Sequence, residues 1–211
     1  MVVYGRLVIR ERTPIELMLY AIYLYLSGLS LRQTARTLAS IGVKRSREAV
    51  RKWVHRFGEL AIRYISRETA SVAIVDETAV NVGGRLVWLW VAVEPERRTL
   101  IALHLSETRN ILVAYSFLSA LRRRGVKRVI TDGANWYPVA TRWARLEHSV
   151  VRGGVRNYIE CFICTVKDRL RAVDVYFPSP RRLLKSVLRF IYAWACFYNY
   201  ARKLVKYSYF S

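Results

Sequence analysis

A chain of 211 residues, 53% of them hydrophobic, has the length for one ordinary domain plus a smaller one and the apolar content for a real core. Its 36 Lys and Arg against 15 Asp and Glu leave a net charge of +21, which implies a polyanionic partner, most often nucleic acid. Three sparse cysteines, Cys161, Cys164 and Cys196, exclude a disulfide framework and point to a reducing cytoplasm.

The charge is unevenly placed. Residues 1–70 carry 13 basic and 5 acidic side chains, residues 71–150 carry 11 and 7, and residues 151–211 carry 12 and 3. Basic flanks thus enclose a middle with nearly half of the acids: cations for phosphates, carboxylates for metal. Cys161-x-x-Cys164 has the spacing of half a zinc site, but no second pair completes it, and His55, His104 and His148 are scattered. The apolar runs Leu17–Leu29 and Val187–Tyr200 are too short to span a bilayer, so no membrane association is expected.

In chain order, Thr13-Pro14 predicts a helix start, with Thr13 as the cap, and Gly28 ends that helix. Ser30 caps a second helix with Leu31, Thr34, Ala35 and Leu38 on one face. Ser46 caps a third, where Val50, Trp53, Val54 and Phe57 recur at helical spacing. Arg47, Arg51, Lys52 and His55 are left on its outer face. Helix, turn and basic helix describe a helix-turn-helix, a DNA-binding unit, with a plain three-helix bundle as the bland alternative.

Ser71–Val75 is a short apolar run that reads as a buried strand, ending at Asp76 and Glu77. Gly83-Gly84, a strand through Val87–Val93, the turn Pro95-Glu96 and a strand Thr99–Leu105 complete an antiparallel meander. A helix from Asn110 to Arg124 follows, then a fourth strand, Val126–Thr131, ending at Asp132. A helix Tyr137–Leu146, a fifth strand His148–Val151 and a break at Gly153-Gly154 come next. The helix Asn157–Val173 buries Ile159, Phe162, Ile163, Val166 and Leu170, leaving Glu160, Cys164, Lys167 and Arg171 on the other side. Phe177-Pro178-Ser179-Pro180 is a rigid linker to a C-terminal helical segment, Arg181–Tyr209, suited to covering the sheet or, alternatively, to a dimer contact.

Three strands, helix, strand, helix, strand, helix is the order of an RNase H-like α/β fold, a mixed sheet with flanking helices, here preceded by an all-α helix-turn-helix. In that fold Asp76, Asp132 and Glu160 converge at one sheet edge. Three carboxylates so placed suit a pair of Mg²⁺ ions, with Mn²⁺ as substitute, for in-line attack on phosphorus.

The residues Tyr25-Leu26-Ser27-Gly28-Leu29-Ser30-Leu31-Arg32-Gln33-Thr34, Val50–Val54, Asp76-Glu77-Thr78, Trp88–Val93, Thr131-Asp132-Gly133, Trp136-Tyr137, Arg156-Asn157, Glu160 and Val166–Arg169 resemble DDE-type insertion-sequence transposases of the small bacterial and archaeal kind. The resemblance covers about residues 14–200. It implies a helix-turn-helix domain over 1–66 and a catalytic domain over 67–211. It implies Asp76, Asp132 and Glu160 as the catalytic, metal-binding triad, and Lys167 facing DNA beside it. Asp168 is the rival for the third acid, but Glu160 lies in the helix's first turn, near the strand ends. The implied activity is metal-dependent cleavage and strand transfer at element ends, on double-stranded DNA, by a homodimer in the cytoplasm at the nucleoid. A decayed copy retained as a DNA-binding regulator, and a structure-specific nuclease, are the alternatives.

Overall fold

The computed structural model describes residues 12–82, 84–151, 157–174 and 183–208. Gly83, Gly153-Gly154, Arg156, the Phe177–Pro180 linker and the side chains of Asn157, Arg169, Leu170 and Arg171 lie outside the described residues. The elements are α1 (Ile15–Leu26), α2 (Leu31–Ser40), α3 (Arg47–Ile65), β1 (Val72–Val82), β2 (Arg85–Glu94), β3 (Thr99–Ser106), α4 (Ile111–Arg123), β4 (Arg128–Thr131), α5 (Tyr137–Trp143), β5 (Glu147–Val150), α6 (Asn157–Asp174) and α7 (Leu183–Ser208).

Local chemistry accounts for most boundaries. Ser30 accepts from the Gln33 amide while the Gln33 side chain accepts from the Ser30 amide, a reciprocal capping box. Ser46 accepts from the Ala49 amide at the start of α3, and Asn110 from the Val113 amide at the start of α4. The expected Thr13 cap is not formed. Pro14 occupies the cap position, and the Thr13 hydroxyl instead accepts a 2.7 Å bond from Arg45 Nε, a partner 32 residues away.

The five strands form one mixed sheet in the order β3-β2-β1-β4-β5, antiparallel through β3, β2 and β1 and parallel through β1, β4 and β5. This is the RNase H-like arrangement expected from the element order. β1 departs from expectation in length: it does not end at Asp76 but runs to Val82, because the β2 hairpin keeps pairing with it as far as Val82↔Arg85.

Each sheet face has its own core. One buries Ala73, Val75, Trp90, Ala92 and Val129 against α4 and α5. The other buries Ile74, Val80, Leu89, Val91 and Leu103 against α6, α7 and the N-terminal helices, including Trp53, Phe162 and Trp194. α7 lies along α3 and reaches β3, so the helices before the sheet and the last helix share one core. Gly58 permits a close approach of the two: a Cβ there would sit 2.9 Å from Arg189 Cβ and collide with the Arg189 carbonyl. Arg124, at the end of α4, donates to the carbonyls of Ile65 and Glu68 at 2.7 and 2.6 Å, tying the end of α3 to the sheet layer. Among the described residues no helix is long and apolar enough to cross a membrane.

Candidate active site

The parallel ladder between β1 and β4 pairs Val72 with Arg128, Ala73 with Val129 and Ile74 with Ile130, and there it stops. The same offset carried two residues further sets Asp76 opposite Asp132. Ile74 and Ile130 both pack on the face covered by α6 and α7, and strand alternation returns Asp76 to that face. The expectation that Asp76 marks a strand end therefore gives way to a different cause: it lies inside β1, at the point where β4 leaves off.

Both aspartates are held locally. Asp76 is 9% exposed, and its Oδ1 accepts from the Glu77 amide at 3.0 Å. Asp132 Oδ1 accepts from the Ala134 amide at 2.9 Å, while Thr131 Oγ1 accepts from the Gly133 amide and bonds His148 Nε2 at 2.8 Å. Gly133 adopts φ +86°, and a Cβ there would meet Val150 Cγ1 at 2.8 Å, so the turn after Asp132 needs glycine on two counts.

Glu160 is exposed in the first turn of α6, which is anchored through Ile159, Phe162, Ile163 and Val166 and packs chiefly against β1. Lys167 follows seven residues on, half-buried, and Asp168 is exposed beside it. Among the described residues no three His, Cys, Asp or Glu side chains close into a ready-made metal cluster. The β1–β4 ladder ends two residues short of Asp76 and Asp132, and Glu160 lies on the covering helix. As a donor set, a carboxylate in β1, one just past the end of β4 and a third on that helix suit a hard divalent cation such as Mg²⁺.

One part of the neighbourhood went unread in the sequence. Glu77 turns to the opposite face from Asp76, and its side chain is 1% exposed. Arg109 donates to Glu77 Oε1 from Nε at 2.9 Å and Nη2 at 2.8 Å, and the Tyr137 hydroxyl donates to Oε2. The Arg109 guanidinium lies between two indoles, 4.6 Å from the Trp88 ring and 4.2 Å from Trp136. Burial pushes the Glu77 carboxyl above its ordinary value, against the pull of Tyr137 and Arg109. Burial, then the Glu77 charge, pushes the Tyr137 hydroxyl well above its own, so Tyr137 remains a donor. The available signal was the alternation itself, since a second acid directly after Asp76 in an apolar strand has to face a core.

On α3, Arg47, Arg51 and Lys52 are exposed and His55 is half-buried. Glu48 takes both ends of the Arg51 guanidinium, at 2.8 and 2.6 Å, and Arg51 Nη1 lies 3.5 Å from His55 Nε2. Burial, reinforced by the nearby cations of Arg51 and Arg189, holds the His55 imidazole below its usual value.

A family model described as a DDE domain, of the IS240 transposase type, matches residues 70–187, more than half of the chain. The chain belongs to the DDE transposase family. Its DDE domain begins just before β1, ends within α7 and contains Asp76, Asp132 and Glu160. An uncharacterized protein of Methanocaldococcus jannaschii, MJ0017, is 30% identical over 205 residues, which cover 96% of this chain and 94% of that one. Two solved structures show a looser likeness to this DDE transposase-family chain. The catalytic core of BIV integrase is 16% identical with a TM-score of 0.42, over 60% of this chain and 80% of that one. A chain from the structure of the simian T-cell lymphotropic virus intasome in complex with PP2A regulatory subunit B56 gamma is 14% identical with a TM-score of 0.42. That match covers 56% of this chain and 48% of the matched one.

Proposed function

We propose that the protein is a metal-dependent DNA transposase that cleaves phosphodiesters at insertion-sequence ends and transfers the freed strand to target DNA. The observation that carries this reading is the DDE domain matched over residues 70–187, within which the β1–β4 ladder, continued two residues beyond its last pair, would face Asp76 with Asp132. Asp76, Asp132 and Glu160 are the residues that would hold two Mg²⁺ ions. Such ions, when bound, supply an activated water or 3′-hydroxyl and stabilise the leaving oxygen. Lys167, on the same side of α6 as Glu160, would hold a DNA phosphate beside the carboxylates.

End recognition falls to residues 1–66. α2 and α3 would act as the helix-turn-helix, with Arg47, Arg51, Lys52 and His55 of α3 directed at DNA, and residues 67–211 as the catalytic unit. The net charge of +21 supports a phosphate-dominated, salt-sensitive affinity. Work on two ends suggests a homodimer on DNA, in the cytoplasm at the nucleoid.

The test is a labelled-end assay with Mg²⁺ or Mn²⁺. Wild-type protein is expected to nick and join, while Asp76→Ala and Asp132→Ala retain end binding and lose both steps. Strand transfer at wild-type rate in either variant overturns the assignment. Binding without nicking at any metal concentration favours a transposase-derived regulator, and cleavage of branched substrates without joining favours a structure-specific nuclease.

A further inference from the structure

We propose that Glu77 is a positioning residue for the metal site: from the far face of β1 it holds Arg109 and Tyr137, and through them sets the loop that carries Asp132 at its distance from Asp76. The inference rests on Asp76 and Asp132 being metal ligands.

The backbone does not set that distance. Ladder pairing between β1 and β4 ends at Ile74↔Ile130, so Asp76 and Asp132 lie beyond the last pair that fixes the strands to one another. β5 carries its pairing with β4 only to Thr131↔Val150, which also stops short of Asp132. One tie between β1 and the loop is the Tyr137 hydroxyl on Glu77 Oε2. Tyr137 opens α5, five residues after Asp132, and the intervening loop is taut: Ala134 donates to Asp132 Oδ1, and its carbonyl accepts from the Tyr137 amide at 3.0 Å. A chain of bonds therefore runs from the residue beside Asp76 to the carboxylate of Asp132.

Arg109 braces the same loop from the β3–α4 connection. It bonds Glu77 Oε1 and stacks on Trp136, the residue before Tyr137, with Trp88 of β2 on its other side. Glu77 thus joins β1 to two separate connections, one oxygen for each. A buried ion pair is a poor source of stability compared with apolar packing, so its worth lies in geometry. Groups of this kind orient ligands that they never replace.

The probe is Mn²⁺ alone, titrated into the full chain and followed by electron paramagnetic resonance, with thermal unfolding measured in parallel. Tyr137→Phe and Glu77→Ala are expected to weaken Mn²⁺ binding about tenfold or more, the usual cost of removing an orienting partner. Tyr137→Phe keeps the buried ring and is expected to stay folded. Glu77→Gln keeps one carbonyl oxygen for Arg109 and turns its amide toward the Tyr137 oxygen, so it is expected to recover part of the affinity. Wild-type Mn²⁺ affinity in Tyr137→Phe and Glu77→Ala overturns the proposal. Failure of the wild-type protein to bind Mn²⁺, or binding that survives Asp76→Ala and Asp132→Ala together, instead defeats the underlying assignment of the ligands.

Discussion

Asn199 of α7 brackets Leu100 of β3, accepting from its amide at 2.8 Å and donating to its carbonyl at 2.9 Å. β3 is an edge strand, and this fully buried amide takes the place of a neighbouring strand at one position. Asn199→Leu leaves two buried backbone groups unpaired. The expected loss is about 1–3 kcal/mol, measured as a lower denaturant midpoint at unchanged slope. Asn199→Asp, which keeps only the acceptor, is expected to lose stability as well.

Gly58→Ala reverses the usual sign of its class. In an exposed helix interior the change stabilises by roughly 0.5–1 kcal/mol. In α3 the new methyl meets the Arg189 backbone, and overpacking of this kind costs about 1–3 kcal/mol. A thermal melt below that of the wild type is the expected result.

Glu160 and Asp168 are separable by activity. With Glu160 as the third ligand, Glu160→Ala is expected to lower the nicking rate by roughly a hundredfold or more, close to 3 kcal/mol of barrier. Asp168→Ala is expected to stay near wild type. A single-turnover assay on labelled ends distinguishes them, and the reverse order would move the third ligand two turns along α6.

Glu48 restrains the proposed DNA-binding face. Its carboxylate accepts from Arg51 Nε and Nη2, and that contact holds its pKa below the usual carboxylate range. Glu48→Ala frees a guanidinium and removes a negative charge from the helix. End affinity is expected to rise and its salt dependence to steepen, as measured by gel shift over a salt series.

His55 supplies a pH signature. Burial, Arg51 and Arg189 hold its pKa below the usual value, with Glu59 and Glu48 pulling the other way. A phosphate laid on this face would raise that pKa, so binding takes up a proton and tightens as pH falls from about 7 toward 5. In His55→Gln the gain is expected to disappear.

The order of elements was legible along the chain, and Asp76, Asp132 and Glu160 stood out there as candidates. Apolar period is a local property, and so are the Ser30 and Ser46 caps, which act over three residues. Where a distant partner intervened, local reading failed: Thr13 gave up its cap to Arg45, and β1 ran past Asp76 because β2 continued to pair with it. What only the tertiary structure decided is which groups meet. Glu77 with Tyr137, Asn199 with Leu100, and Arg124 with Ile65 are 60, 99 and 59 residues apart. Their contacts depend on strand order and helix crossing, which no window of sequence encodes. The candidate carboxylates were therefore marked by the chain itself, while the contacts of Glu77 with Arg109 and Tyr137 came from the tertiary structure.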